Sequence, residues 1–311
     1  MTIRTRLIIL GFCVMAFFIV TPYIVLYSLG YRVNFETWKL QGTGGIYVYA
    51  QPDPSLVMID SEPASENGFF SSAVFVQNLL PGPHNVMIRK DGYHDYQKTL
   101  AVKEKEVTKL ENVVLFKNNI TLTALPDAAQ FTGVSQKPAS AFVVKNKNLY
   151  NAVTNALVLK NVVAWQATEN SIYWTDNSGT LYRFNISEET SVPLIEIRGA
   201  SHLLLSPDNQ KIVYWSATQL WYWQIGATEN QQVLLQKTSG PITDAYWLNN
   251  NYLVFVTANQ IIISETDARG NLNTVTLPDA FVTPKIYFNQ ANKKLYILTG
   301  GKLMVSERLL P

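Results

Sequence analysis

The heptapeptide Tyr214-Trp215-Ser216-Ala217-Thr218-Gln219-Leu220 joins the end of one apolar strand to the start of another through a short polar turn. The same pattern returns along the chain at spacings of 41, 41 and 42 residues. Its other copies are Tyr173-Trp174-Thr175, Phe255-Val256-Thr257 and Ile297-Leu298-Thr299, with a weaker one at Val143-Val144-Lys145. A period near 40 residues, with alternation of period two inside each unit, is typical of propeller blades and not of helical repeats. The sequence therefore predicts a β-propeller over residues 119–311.

Each repeat carries further strands around this motif. The second strands open at Leu149, Leu181, Leu220, Ile261 and Leu303. A strand also precedes the motif, as in His202-Leu203-Leu204-Leu205, and the turn Ser206-Pro207-Asp208-Asn209 after it resembles one common in WD-repeat-like propellers. The Trp-Asp dipeptide itself is absent, so the resemblance is to the architecture.

Five blades can be counted, and the last has only three strands before Pro311, whereas the strand at 119–125 has no blade of its own. Pairing that strand with the last blade would remove two exposed sheet edges. We therefore predict a closed five-bladed ring completed by its N-terminal strand.

Residues 45–116 show a different pattern, with short alternating runs separated by turns at intervals of about 8 to 12 residues, as in β-sandwiches. The buried faces are expected at Ile46 and Val48, Val57 and Ile59, Val86 and Ile88, Leu100 and Val102, and Val113 and Leu115. The sequence predicts a small sandwich.

This region resembles the PEGA domain. The resemblance is carried by Gly45-Ile46-Tyr47-Val48, by Pro52, by a strand that ends at Asp60, and by the run from Leu80-Pro81-Gly82 to Asp91-Gly92-Tyr93. The chain departs from the family at Pro52-Asp53-Pro54-Ser55, where Pro-x-Gly-Ala is usual, and around Gly68 to Ser72. The resemblance implies a surface module with a carbohydrate-binding-like sandwich and no family-wide catalytic residues.

An uncharged run from Leu7 to Gly30 predicts a transmembrane helix over residues 7–30. Its 24 residues would extend about 36 Å, and a bilayer core of about 30 Å asks for roughly 20 apolar residues. Tyr23, Tyr27 and Tyr31 suit the far interface, whereas Trp38 is counted as too distant along the chain. We predict a cytoplasmic tail at 1–6, a juxtamembrane linker at 31–44, and a hinge at Gly42-Thr43-Gly44-Gly45.

A cleaved signal peptide is the alternative to this signal-anchor, because Arg4 and Arg6 precede the apolar run. The run is longer than the usual apolar core of such a peptide, and no small-residue cleavage site follows it. Lipidation of Cys13 is disfavoured because Phe12, a large residue, precedes it. The basic residues favour a cytoplasmic N-terminus. The thiol-free remainder of the chain suits an oxidising exterior, although chance could also leave a cytoplasmic domain without cysteine.

Composition excludes one class of partner. The formal net charge is +2 and charged residues make up 15% of the chain, whereas nucleic-acid binding needs clustered Lys and Arg. The stretch from Lys98 to Lys109 alternates with Glu104 and Glu106 and is interpreted as a solvated strand-and-turn edge. We expect the bilayer and an envelope protein or polysaccharide as partners, and no nucleic acid.

Chemical motifs are absent from the sequence. His84, His94 and His202 have no metal-ligand spacing, and no hydrolase, P-loop or dinucleotide motif is present. We therefore expect no metal, cofactor or catalytic residue. Asp176, Asp208 and Asp244 could converge in space, but they are interpreted as turn residues that bond their own backbone.

Trp221-Tyr222-Trp223 is the densest aromatic feature. Aromatic faces can stack on sugars, but Trp221 and Trp223 occupy the positions of Tyr182 and Phe184 one blade earlier, which favours packing between blades. Tyr222 and Tyr93 are the candidate contacts to a ligand or partner.

Three functions remain open from the sequence. We expect a membrane-anchored envelope protein that displays the sandwich and propeller outside the cell for binding or structural purposes. The alternatives are a propeller-based extracellular hydrolase or lyase, and a sensor subunit that needs a membrane partner.

Overall fold

The computed structural model describes residues 3–35, 38–53, 55–64, 73–126, 131, 141–197, 199–227 and 232–311, without the side chains of Arg4 and Asn34. The chain forms two compact units. The first extends to Leu115 and includes Arg269–Asn271, and the second comprises Phe116–Ala268 and Leu272–Pro311. All of the helical and strand elements named below belong to these described ranges.

One apolar helix, α1, spans Ile3–Ser28 and begins before the predicted boundary at Leu7, so the predicted tail at 1–6 is partly helical. Its segment Thr5–Ser28 has a mean hydropathy of 2.5, and none of it is buried inside the protein. The helix is long and apolar enough to cross a membrane once. It ends at Ser28, and Gly30, two residues later, has a φ of +80°, the left-handed conformation that is common just after helices.

A β-hairpin follows the helix directly and occupies the predicted linker. Strand β1 (Tyr31–Asn34) pairs antiparallel with β2 (Lys39–Gly42). After the hairpin, the amide and the hydroxyl of Thr43 both donate to the carbonyl of Gly30, at 2.8 and 2.7 Å. The predicted linker at 31–44 is therefore a folded hairpin whose base is closed by hydrogen bonds.

The predicted sandwich is present in the first unit. Its strands are β3 (Gly44–Gln51), β4 (Leu56–Ile59), β5 (Glu62–Pro63), β6 (Ala73–Leu79), β7 (Gly82–Arg89), β8 (Tyr96–Val102) and β9 (Val107–Val114). One sheet has the order β6-β3-β9, with β3 and β9 parallel, and the other has the order β5-β4-β7-β8. Alternate apolar residues of both sheets meet in one core, for example Ile46, Val86 and Leu110. Strand β6 was missed by the sequence analysis.

The glycines at the start of β3 are packed and do not form a hinge. A Cβ added at Gly44 would lie 2.3 Å from the carbonyl oxygen of Lys103, and one added at Gly45 would lie 2.8 Å from that of Val76. Backbone approaches of this kind require glycine. The prediction of a hinge is wrong at Gly44 and Gly45, because these two glycines allow close contact between strands.

The prediction of a solvated edge between Lys98 and Lys109 is wrong at Lys98. This lysine points inward on β8 and is 0% exposed, with its ammonium nitrogen 5.7 Å from the centre of the Tyr96 ring. The lysines that follow it at 103, 105 and 109 are exposed, as expected. Pro54 and the family departure at 68–72 lie outside the described residues.

The second unit contains five antiparallel sheets among its described residues. The first two have the orders β11-β12-β13, formed by Phe142–Lys145, Asn148–Asn151 and Leu157–Leu159, and β14-β15-β16-β17, formed by Ala164–Ala167, Ser171–Thr175, Thr180–Asn185 and Thr190–Glu196. The next two are β18-β19-β20-β21, formed by His202–Leu205, Lys211–Trp215, Gln219–Gln224 and Gln232–Lys237, and β22-β23-β24-β25, formed by Ile242–Trp247, Tyr252–Thr257, Gln260–Glu265 and Thr274–Thr276. The last has the order β10-β28-β27-β26, formed by Leu122–Leu125, Lys302–Arg308, Lys294–Thr299 and Lys285–Asn289.

Consecutive sheets pack face to face, as propeller blades do. Alternate residues of β19 contribute to two different cores: Ile212 and Tyr214 pack with the sheet before, and Val213 and Trp215 pack with the sheet after. The first strand of one sheet lies beside the first strand of the next at β14–β18 and β22–β26, which makes these the inner strands. The unit is a β-propeller; closure into a five-bladed ring stays a prediction.

The N-terminal strand completes the last sheet, as the sequence predicts. Leu122–Leu125 pair antiparallel with Ser306–Leu303, so β10 covers the outer edge of β28. Glu307 reinforces this pairing, since its backbone amide donates to the Thr121 carbonyl and its carboxylate accepts from the Thr121 amide at 3.1 Å and from Lys117. The propeller is therefore fastened by a strand from its own beginning.

We expect Gly44→Ala to destabilise the sandwich by about 2 kcal/mol, because the added methyl group would overlap backbone oxygen and force the strands apart. Gly42→Ala is the matched control, since its methyl group would meet only the flexible Glu104 side chain at 3.2 Å. Urea unfolding of the detergent-solubilised chain measures both variants. Equal stability of the two would contradict the packing role of Gly44.

The pH dependence of stability should report the Glu307 contact. The hydrogen bond from Lys117 holds the pKa of Glu307 below its usual 4.5, against the opposing effect of burial and with help from the Thr121 amide. A carboxyl with a lowered pKa stabilises the folded state above its unfolded pKa, and this contribution disappears as the pH falls through the folded value.

At neutral pH we expect Glu307→Gln to be less stable by about 0.5–1 kcal/mol, since both partners are partly exposed. The difference from the wild type should vanish in acid, as measured by chemical unfolding over a pH series. Glu169→Gln, at an exposed turn, is the control. A deficit that is constant across the series would rule out the ionic contribution.

Candidate functional site

Tyr222 is half-buried on a blade face and lies close to polar and charged groups. It sits in the middle of β20, opposite Val213 on one side and Val233 on the other. Its ring packs against the core shared with the β22–β25 sheet, and its hydroxyl donates to Oε1 of Gln224 at 2.8 Å. The ring face is therefore largely committed to packing, whereas the phenol end is held by a polar partner.

Lys211, the first residue of β19, connects this blade to the next one. Its ammonium group donates to the carbonyl of Asn250 at 2.6 Å and to Oδ1 of Asn251 at 3.0 Å, in the turn between β22 and β23. Asn250 in turn accepts from the Asp208 amide at 3.1 Å. We call these residues the Tyr222 cluster: Asp208, Lys211, Tyr222, Asn250, Asn251 and Asp267.

Burial and charge act together in the Tyr222 cluster. Burial lowers the pKa of Lys211 below its usual value, although the negative charges of Asp208 and Asp267 oppose this effect. Burial raises the pKa of Tyr222, and the same two carboxylates raise it further. The cluster therefore combines a phenol, an ammonium group and two carboxylates in a partly desolvated setting, where hydrogen bonds to charged groups are strong.

The chemistry of the Tyr222 cluster suits recognition. It offers carboxylates, amides and a phenol, which are the groups that bind hydroxyl-rich or amide-rich partners by hydrogen bonding. Lys211 already donates to two protein acceptors, which favours a role in joining blades.

Trp221 and Trp223 face the other side of the strand from Tyr222. Trp223 is 3% exposed and, with the partly buried Trp221, packs in the core shared with the β14–β17 sheet. The corresponding Tyr182 and Phe184 pack in the preceding core. The prediction that these residues pack between blades is confirmed.

Tyr93 lies in the other unit, at the turn after β7. Its amide donates to the Lys90 carbonyl at 3.0 Å, and its half-buried ring packs against the sandwich core. Arg89 and Asp95 bracket the turn with an ion pair at 2.8 Å. Its role as a ligand contact stays a prediction.

The aspartates have different roles. Asp176 accepts from the amides of Ser178 and Thr180 at 2.9 and 3.2 Å, and Asp208 accepts from the Gln210 amide at 3.1 Å, which confirms their turn roles. Burial favours a higher pKa for Asp176, but the hydrogen bonds from Ser178 and Thr180 outweigh it and lower the pKa.

The prediction that Asp244 is a turn residue is wrong. The residue lies within the inner strand β22, beside a bulge, and not in a turn. One carboxylate oxygen accepts from the Ala245 amide at 3.1 Å and the other from the Ile286 amide of the next sheet at 3.2 Å. This inner-strand carboxylate is thus engaged in joining blades.

Among the described residues, no group of three or more His, Cys, Asp and Glu side chains is arranged to hold a metal ion. His84 is bound instead to a turn, with Nδ1 at 2.5 Å from the Asp60 carboxylate and Nε2 at 2.7 Å from the Leu80 carbonyl. His202 stacks on Trp215, with ring centres 4.9 Å apart, and burial lowers its pKa.

The sequence pattern does not identify Lys211, Asn250, Asn251 or Asp267 as neighbours of Tyr222. One signal was available in the sequence: Lys211 is the first residue of the apolar run Lys211-Ile212-Val213-Tyr214-Trp215. A charged group beside a buried strand needs a hydrogen-bonding partner. That partner lies 40 residues away and depends on how adjacent blades are stacked, which the repeat alone does not specify.

Comparison with known families supports the sandwich assignment. The PEGA domain model matches residues 43–116. This PEGA segment agrees with the region of resemblance seen in the sequence and coincides with the two-sheet sandwich. No curated protein matches the chain.

Solved structures give distant similarities. The computationally designed Ika4 protein has a TM-score of 0.38 at 15% identity, covering 48% of this chain and 91% of its own. Hsv2 from Kluyveromyces lactis has a TM-score of 0.40 at 11% identity, covering 83% of this chain and 72% of its own. The propeller assignment rests on the sheet order and packing described above.

Proposed function

We propose that this protein is a single-pass, membrane-anchored binding protein whose PEGA segment and propeller lie outside the cytoplasm and contact an envelope protein or polysaccharide. The observation that carries the proposal is the direct joining of an unburied apolar helix to a folded β module. Thr43 bonds back to Gly30 at the end of the helix, so the anchor leads into the sandwich without a free linker.

Charge and cysteine use support the proposed orientation. Arg4 and Arg6 precede the apolar run, and their positive charges favour retention on the cytoplasmic side. The single cysteine, Cys13, lies within the helix, which leaves the sandwich and the propeller without thiols, as suits an oxidising compartment.

A binding role is favoured over an enzymatic one by how the polar groups are used. The inner-strand carboxylate of Asp244 is engaged by two backbone amides, and the Lys211 ammonium is engaged by Asn250 and Asn251. These contacts stabilise the stacking of the blades. A rigid propeller that offers the Tyr222 cluster at a blade junction suits docking of a larger partner.

The topology predicts a distinct protease pattern. Protease added to intact cells should remove the sandwich and the propeller. An N-terminal tag before α1 should stay protected until the membrane is permeabilised. Immunoblotting for that tag and for a C-terminal tag measures the two ends separately. Full protection of the C-terminal tag in intact cells, with cleavage after permeabilisation, would overturn the outward orientation.

The binding role is tested with the full chain in nanodiscs, immobilised and exposed separately to purified envelope polysaccharide and to solubilised envelope proteins. We expect one class to be retained, and Tyr222→Ala to weaken that binding about tenfold, equivalent to about 1.4 kcal/mol. Tyr150→Ala, which removes a half-buried tyrosine from another blade, is the matched control.

Thermal unfolding of both variants separates loss of contact from loss of structure. Retention of neither class by the wild type would contradict the binding role. Equal weakening by the two variants would contradict the assignment of Tyr222 as a contact.

A further inference from the structure

The hairpin β1–β2 presents large apolar side chains to its surroundings. Phe35 is 74% exposed, Trp38 is 79% exposed and Leu40 is 48% exposed. The Phe35 and Trp38 rings meet edge to face with their centres 6.1 Å apart, so they form one apolar tip. Grouped exposed side chains of this size mark an interaction surface and are unfavourable in water.

The hairpin turns back toward the helix. Tyr23, Leu26 and Tyr27 of α1 line the same cavity, of about 160 Å³, as Phe35 and Leu40 of the hairpin. Tyr23 lies five residues before the end of α1 at Ser28, which is about 8 Å along the helix axis. The apolar hairpin side chains therefore lie beside the last turns of the helix.

Arg32 holds the hairpin in this position. Its guanidinium carbon lies 3.4 Å from the centre of the Tyr27 ring, and Nη1 donates to the Tyr27 carbonyl at 2.8 Å. Nη2 donates to Oδ1 of Asn78 in the sandwich at 2.8 Å. Lys105 adds a hydrogen bond to the Tyr31 hydroxyl at 3.2 Å. The hairpin is thus attached both to the helix end and to the sandwich.

We infer that the hairpin is a second membrane contact, with Phe35, Trp38 and Leu40 inserted into the boundary between lipid headgroups and acyl chains beside the end of α1. The inference rests on the proposed membrane anchoring. Continuity with the spanning helix identifies the occupant as lipid, because any bilayer that surrounds Tyr23 and Leu26 also reaches the side chains that share their cavity.

Tryptophan and other amphipathic rings favour this depth, and interfacial apolar faces are buried about 5–10 Å. Distance along the chain places Trp38 outside the aromatic belt, but β1 and β2 are antiparallel, so Trp38 comes after the chain has reversed direction. Two attachment points would orient the sandwich relative to the membrane, where a helix alone would let it pivot.

The test places an environment-sensitive fluorophore, NBD, on single cysteines of the full chain in phosphatidylcholine–phosphatidylglycerol nanodiscs. Label at the native Cys13 reports insertion of α1. Trp38→Cys and Phe35→Cys, each combined with Cys13→Ser, report the hairpin; the two positions are used separately so that one aromatic ring always remains. Leu56→Cys, in the same background, is the matched control.

Leu56 is 51% exposed and pairs with Arg89, at the opposite end of β7 from Gly82. The membrane-proximal end of the sandwich is the one bearing Asn78 and Lys105, and Gly82 pairs with Val102 there. A strand of this length places Leu56 about 20 Å farther from the helix end.

We expect nitroxide lipids labelled near the headgroup to quench the label at 35 and 38 about twofold more than lipids labelled near the acyl-chain end, and iodide to quench it weakly. Label at Cys13 should show the opposite lipid preference, and label at 56 should respond to iodide alone. Strong iodide quenching at 35 and 38 without lipid quenching, while Cys13 is quenched by deep nitroxide, would overturn the hairpin contact alone. Loss of lipid quenching at Cys13 would overturn the anchor.

Discussion

The face-to-face packing of consecutive blades is the constraint on which the propeller depends. A four-stranded sheet whose central strand is apolar on both sides cannot bury both faces by itself, and Val213 and Tyr214 show the result by packing against different neighbours. The turn at Asn250 and Asn251 and the Asp244 carboxylate then connect blades by hydrogen bonds as well. Polar residues at these junctions stabilise the stacking, and the Tyr222 cluster lies at one such junction.

Much of this architecture could be predicted because its physical cause is periodic. Strand positions such as Leu220 and Ile261 lie within one residue of the observed strand starts, since alternation is set by burial on each side of a strand. Predictions failed where a residue's role depends on a distant contact. Gly44 resembles a hinge in sequence but is required by the Lys103 carbonyl, and Asp244 resembles a turn residue but bonds to Ile286 in the next blade.

In the candidate site, too, the local pattern could be predicted and the distant contacts could not. Tyr222 was identified as an aromatic residue whose neighbours pack inward, and its surroundings of opposite charges became visible only in the folded chain. The hairpin is a second example of a contact that residue numbers hide. Trp38 is ten residues after the end of the helix, yet it belongs to the apolar tip that lies beside the helix. Distance along a chain is a poor guide wherever the backbone reverses, whereas the apolar helix could be recognised from composition alone.

Pairing of β10 with β28 also constrains when the last blade can be completed during synthesis. Thr121 and Glu307 are 186 residues apart, so their contact cannot form until the sequence of every intervening blade has been synthesised. Contacts with such large sequence separation carry a high loop-closure entropy and form late and slowly. Until then, the edge of β28 and strand β10 are both unpaired, and each can pair with the wrong chain. Pairing of β10 with β28 therefore removes two edges that would otherwise favour aggregation.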